Sequence, residues 1–168
     1  MTVTQSIDRK YDIIVWGASG FTGRIVVDYL HKEYGSGNLS WAVAGRNPAK
    51  LKSVVGQRDI PILTADSHDS ESLNQLVQQT KVILTTVGPY ARYGSELVAA
   101  CARHGTHYCD LTGESLWMRE MITAHQHTAR DSGARIVHTC GFDSIPSDIG
   151  VYFLQKEMRA RHGVAARH

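Results

Sequence analysis

Cysteine is scarce in this chain: three in 168 residues, Cys101, Cys109 and Cys140, odd in number and scattered. No C-x-x-C pair occurs, so neither a zinc ribbon nor a disulfide framework is suggested. Free thiols in a reducing cytoplasm are the expectation. Long apolar runs are also missing, and no stretch reaches the length needed to cross a bilayer. Met1 to Lys10 is polar and does not read as a secretory signal. An excess of one charge is lacking too. A formal net charge of +2 points to no particular partner and gives no footprint for nucleic acid. Nine histidines are present, yet His125 and His127 share no helical face, and His104 and His107 straddle a helix-to-strand turn. No metal site is expected. Repeats and low-complexity segments are absent.

What the chain does have is alternation. Apolar strand-like runs fall at Tyr11–Trp16, Ser40–Ala44, Ile60–Ala65, Lys81–Val87, His107–Asp110 and Ala134–Thr139. Helical periodicity falls between them, at Phe21–Tyr34, Pro48–Val55, Ser70–Gln79, Ala91–His104, Leu116–Ser132 and Ser147–Ala160. Strands separated by single helices demand parallel pairing with right-handed crossovers. The expected fold is therefore α/β: a doubly wound parallel sheet of six or more strands, Rossmann-type, with helices on both faces. The length fits one domain. Residues 1–10 read as a flexible N-terminus, 11–160 as the dinucleotide-binding domain, and 161–168 as a basic tail that frays. Tyr34 to Asn38 reads as a plain turn.

The most informative segment is Gly17-Ala18-Ser19-Gly20-Phe21-Thr22-Gly23, which joins the first strand to the first helix. That context turns a loose glycine pattern into a dinucleotide-binding expectation. Gly17 permits a sharp turn, Gly20 removes a Cβ where backbone must approach a diphosphate, and Gly23 lets helix and strand pack closely. Unpaired N–H groups around Phe21 and Thr22 then face the phosphates at the favourable end of the helix dipole. The competing reading is a structural glycine turn.

The second strand ends in Gly45-Arg46-Asn47-Pro48. An NAD site places an acidic residue about 20 residues past the glycine turn; none stands here. Arg46 can clamp a 2′-phosphate bidentately, Gly45 leaves room for the adenosine, and the Ser19 hydroxyl adds a donor. NADP(H) is expected in preference to NAD(H), against the alternative of a solvated arginine. The third strand delivers Asp66 and Ser67, suited either to the adenine amino group or to helix capping. The fourth delivers Val87-Gly88-Pro89-Tyr90, where Gly-Pro strips away side chains and an N–H near the cofactor's middle ribose, or merely punctuates a turn.

Together with Tyr108-Cys109-Asp110-Leu111-Thr112-Gly113-Glu114 and Gly141-Phe142-Asp143-Ser144-Ile145-Pro146-Ser147-Asp148, these blocks resemble the saccharopine dehydrogenase-like oxidoreductases, especially the branch of trans-acting enoyl reductases. The resemblance implies hydride transfer by a two-part enzyme, in which an NADP-binding domain precedes a substrate and dimerisation domain. That second part is missing, so the chain is expected to be cut short and to lack a complete active site. A small-molecule or lipid-like substrate and a homo-oligomer are implied for the full-length protein.

The catalytic group is left open. Glu114 and Asp143 are substrate-side candidates for orienting substrate or moving a proton, and both also suit loop hydrogen bonding. A rival lies in Tyr152 and Lys156, whose Tyr-x-x-x-Lys spacing resembles the acid of short-chain dehydrogenases/reductases. Tyr152 also suits a packing role. A non-enzymatic alternative is an NADP(H)-binding redox sensor.

Overall fold

The computed structural model describes residues 8–35 and 37–167. The reading of a flexible N-terminus therefore lies outside the described residues for 1–7, as do Ser36 of the 34–38 turn and His168 of the tail.

Six strands and seven helices alternate among the described residues. The first half runs β1 (Tyr11–Trp16), α1 (Phe21–Tyr34), β2 (Trp41–Gly45), α2 (Pro48–Val55), β3 (Ile62–Thr64), α3 (Ser70–Val77). The second runs β4 (Thr80–Thr85), α4 (Tyr90–Tyr93), α5 (Ser95–His104), β5 (His107–Cys109), α6 (Ser115–Ser132), β6 (Ile136–Val137), α7 (Ile145–His162). The strands form one sheet in the order β3-β2-β1-β4-β5-β6, and every pairing is parallel. This is the doubly wound order. β1 lies at the point where the chain switches direction across the sheet, which is where such sheets open a crevice.

Both faces are covered because neighbouring strand residues point to opposite sides. Val15 and Val43 pack with Val27 and Leu30 of α1 and Leu51, Val54 and Val55 of α2. Ile14, Trp16, Ala42, Ala44 and Ile83 pack with Leu73 and Leu76 of α3, Leu97 and Val98 of α5, and Trp117 of α6. Burial on both faces explains why the strands read as continuous apolar runs rather than alternating ones.

Local chemistry sets the boundaries. The Asn47 side chain accepts from Lys50 N and starts α2; the Asp69 side chain accepts from Glu71 N and Ser72 N and starts α3. Gly105 and Gly133 end α5 and α6 in the left-handed conformation. The single helix expected over Ala91–His104 is instead broken at Gly94, where an added Cβ would lie 2.7 Å from Trp117 and 2.8 Å from Tyr90 O. The strand expected over Ala134–Thr139 shrinks to two residues at the sheet edge, because Thr139 turns the chain with φ +59. Helix and side-chain contacts extend into the stretch read as a basic tail. α7 continues to His162, Gly163 reverses the chain, and the Gln155 side chain bonds both Ala166 N and Ala166 O. No residue of α7 is buried, and Ile149, Val151, Phe153 and Leu154 are exposed along it.

Candidate functional site

The carboxyl ends of β1 to β4 surround a cavity of about 290 Å³. Its floor is the glycine turn. Gly17 adopts φ +87, its N–H donates to Ala44 O at 2.9 Å, and Gly20 N donates to Gly17 O at 3.0 Å. Gly20 is the N-cap of α1, yet no side chain caps that helix and no acidic residue sits in its first turn. Helix starts α2 and α3 are satisfied by their own side chains, whereas α1 presents its opening N–H groups unclaimed. That is the chemistry of an anion seat.

The glycines differ in what a Cβ would meet. At Gly23 it would lie 2.2 Å from Gly17 O and 2.8 Å from Ala18 Cα, both backbone. At Gly20 its nearest neighbour is Gly17 O at 3.3 Å, with nothing else inside 4 Å. Gly23 is therefore a packing glycine and Gly20 a glycine of open approach.

Of the residues singled out from the sequence, Gly17, Ser19, Gly20, Gly45 and Arg46 line the cavity, as do Asp66, Ser67, Val87 and Gly88. Ala18 is fully buried behind the turn, and the Phe21 side chain points outward, 85% exposed. Thr22, Gly23 and Pro89 are not in the wall. Tyr90 is buried beneath it; its hydroxyl donates to Thr85 O at 3.2 Å, and burial pushes its pKa up to about 12.

Arg46 is exposed and forms no hydrogen bond or ion pair within 4 Å among the described residues. It stands just before α2, where a cation is disfavoured by the helix dipole. The capping alternative for Asp66 is taken by Asp69. The Asp66 carboxylate accepts from His68 N at 2.9 Å, which holds its pKa below the ordinary value, with His68 and Arg46 charges adding to the effect.

Four lining residues escaped the sequence reading: Trp16, His68, Thr86 and Tyr93. Thr86 Oγ1 lies 3.4 Å from Gly17 O, and His68 and Tyr93 meet edge to face at 5.6 Å. Trp16 is 2% exposed, and its Nε1 is the one buried side-chain N or O among the described residues without a hydrogen-bond partner. Leaving such a donor unsatisfied costs about 1–3 kcal/mol. The Trp16 signal was hidden because an indole at a strand end reads as core.

On the far side of the switch point, Glu114 does not reach into open space. Its carboxylate accepts from Tyr90 N at 2.6 Å and Ala91 N at 2.9 Å, clamping the start of α4. We predict that Glu114→Ala destabilises the fold by roughly 1.5–3 kcal/mol, the range for charge-assisted bonds. Urea unfolding measures it, and a loss below half a unit would show that the clamp is unimportant. Asp143 lies exposed in the turn before α7 and makes no side-chain hydrogen bond among the described residues. Tyr152 is 69% exposed and Lys156 is exposed, and neither lines the cavity; Tyr152 is not the packing residue its position suggested.

A buried carboxylate joins the two loops there. Asp110 accepts from Tyr108 OH (2.9 Å), His138 Nδ1 (2.7 Å), Thr112 N (3.1 Å) and Thr139 N (2.9 Å). Among the described residues there is no cluster of three or more metal-ligating side chains, and no helix is long and apolar enough to cross a membrane.

Comparison with known proteins fits this geometry. Residues 13–137 match the family described as the saccharopine dehydrogenase NADP binding domain. A Mycobacterium ulcerans trans-acting enoyl reductase is 44% identical over 156 residues, covering 90% of this chain and 37% of that protein. One from Mycobacterium leprae is 42% identical over 155 residues, covering 89% and 37%. Apo saccharopine dehydrogenase (L-Glu forming) from Saccharomyces cerevisiae superposes with a TM-score of 0.73 at 20% identity, over 89% of this chain and 32% of that one. The chain thus spans about a third of the length of these proteins.

Proposed function

The chain belongs to the saccharopine dehydrogenase NADP-binding domain family, and from that premise we propose that it holds NADPH for hydride transfer to an α,β-unsaturated acyl substrate. The observation that carries the reading is the open first turn of α1 above Gly20, with an unpaired arginine one strand away. Bound at this site, NADPH supplies the hydride. The residues of this chain bind and orient it. The Phe21–Gly23 backbone N–H groups would seat the diphosphate, Arg46 and the Ser19 hydroxyl would hold the 2′-phosphate, and Asp66 and Ser67 would face the adenosine. Val87 and Gly88 pass beside the middle ribose. Pro89 and Tyr90, anchored by Glu114, fix that loop from behind.

Enoyl reduction needs a hydride at the β-carbon and a proton at the α-carbon. The mycobacterial relatives' names favour this chemistry over oxidation of an amino acid joined to a keto acid. A lipid-like acyl chain, a homo-oligomer and a cytoplasmic location belong to the same proposal. Glu114 has both oxygens committed to α4, so it orients rather than transfers a proton. Asp143, exposed and uncommitted, is the better placed of the two to reach a substrate.

Arg46 gives the test. Arg46→Ala should weaken NADPH binding by roughly 1.5–3 kcal/mol, as expected for a charge-assisted contact, with NADH binding barely changed. Calorimetric titration with both coenzymes measures it. Equal losses would show that the arginine does not read the 2′-phosphate.

A further inference from the structure

The orphaned indole of Trp16 calls for an acceptor, and resting on the NADP reading above, we propose that it reads the adenine base. In this assignment Trp16 Nε1–H donates to a ring nitrogen of adenine, while the Asp66 carboxylate accepts from the neighbouring 6-amino group. Two observations converge on it. Trp16 is buried, lines the cavity and has no partner for its N–H. Asp66 lines the same cavity with its carboxylate half exposed; His68 takes its Oδ1, and its Oδ2 has no donor among the described residues.

Topology places the two correctly. β2 lies between β1 and β3 and ends in Gly45, which puts no side chain of its own between Trp16 at the end of β1 and Asp66 just past β3. A Cβ at Gly45 would meet only Leu51, at 3.6 Å. His68 and Tyr93, also on the cavity wall, meet edge to face with ring centroids 5.6 Å apart, so one of the two rings can lie against the face of a purine. Adenine offers its N1 acceptor beside its 6-amino donor on a single edge, so an indole N–H and a carboxylate that converge on that edge answer both. Hypoxanthine carries oxygen where adenine carries the amino group and N–H where adenine has N1. It presents the reverse.

The experiment titrates reduced NADPH and its hypoxanthine analogue, calorimetrically, into the wild-type chain and Trp16→Phe. Phenylalanine keeps an apolar ring and removes the N–H. The variant should bind NADPH about tenfold more weakly, which is about 1.4 kcal/mol, and the analogue within twofold of wild type. Wild type should itself discriminate against the analogue. An equal loss on both ligands would mean that Trp16 acts by packing, and no loss on NADPH would mean that the N–H has another acceptor, the face of a neighbouring ring; either overturns the proposal. Wild type that binds neither dinucleotide removes the NADP reading and this contact together, whereas intact NADPH binding by both proteins removes only the contact. Should Trp16→Phe fail to fold, the wild-type indole resonance decides. Saturating NADPH should move the Trp16 Nε1–H signal downfield and slow its exchange with solvent, and an unmoved signal is a refutation.

Discussion

Replacing Gly20 with alanine should cut NADPH affinity by about 100-fold, near 2.7 kcal/mol, while leaving the protein folded. Gly20 sits at φ −74, ψ 171, an ordinary conformation for alanine, and the new methyl would meet only Gly17 O at 3.3 Å. The fold should lose about 1 kcal/mol, or roughly 2–4 °C in melting temperature for a chain of this size. The methyl would instead occupy the space through which a diphosphate reaches the α1 N–H groups. Gly23→Ala should behave in the opposite order. Its methyl would sit 2.2 Å from Gly17 O, a backbone atom that cannot step aside. The helix must lift from the strand, at about 3 kcal/mol or more of overpacking, and the melting temperature should fall by roughly 6–12 °C. Differential scanning fluorimetry with titration calorimetry separates the two. If Gly20→Ala binds NADPH like wild type, the diphosphate does not lie on this turn.

That contrast shows where sequence reasoning stopped. The glycine spacing, placed between an apolar run and a helical period, was enough to predict the turn, and the alternation of strands with helices was enough to predict the parallel pairing around it. α1 and α2 begin and end at the expected residues because Gly20, Asn47 and Pro48 carry start signals in their own chemistry. Elements whose limits depend on distant partners were less legible. At Gly94, where α4 gives way to α5, Trp117, 23 residues on, occupies the space a side chain would need. β6 shortens because Thr139 turns to give its N–H to Asp110. Glu114 was legible as an important carboxylate but not as the cap of α4, since its partners lie on another loop. His68 comes from the loop after β3 and Tyr93 from the end of α4, and they meet only in three dimensions.

Asp110→Ala should be the most destabilising single change on the substrate side, by about 3–5 kcal/mol. With the usual conversion this is a melting-temperature loss of roughly 10 °C. The side chain is buried and serves four donors, two of them backbone N–H groups from different loops. Alanine would strand Thr112 N, Thr139 N, Tyr108 OH and His138 Nδ1 together. Burial alone would raise the Asp110 pKa; the bonds from His138, Thr139 and Thr112 outweigh it and hold the pKa below its ordinary value. A depressed folded-state pKa contributes stability above the unfolded value, about 3.9, and that contribution disappears as pH falls through the lower folded value. The advantage of wild type over Asp110→Asn should accordingly be full at neutral pH and shrink below about pH 4. Asparagine also cannot accept on both sides, so one of its N–H groups must face Tyr108 or His138, and each can answer by turning its own hydroxyl or choosing the other ring tautomer. Asp110→Asn should therefore lose less than Asp110→Ala. Urea unfolding of the three proteins at pH 7 and pH 3.5 measures both effects. A wild-type advantage that is equal at the two pH values would mean that the carboxylate charge does not hold these loops together.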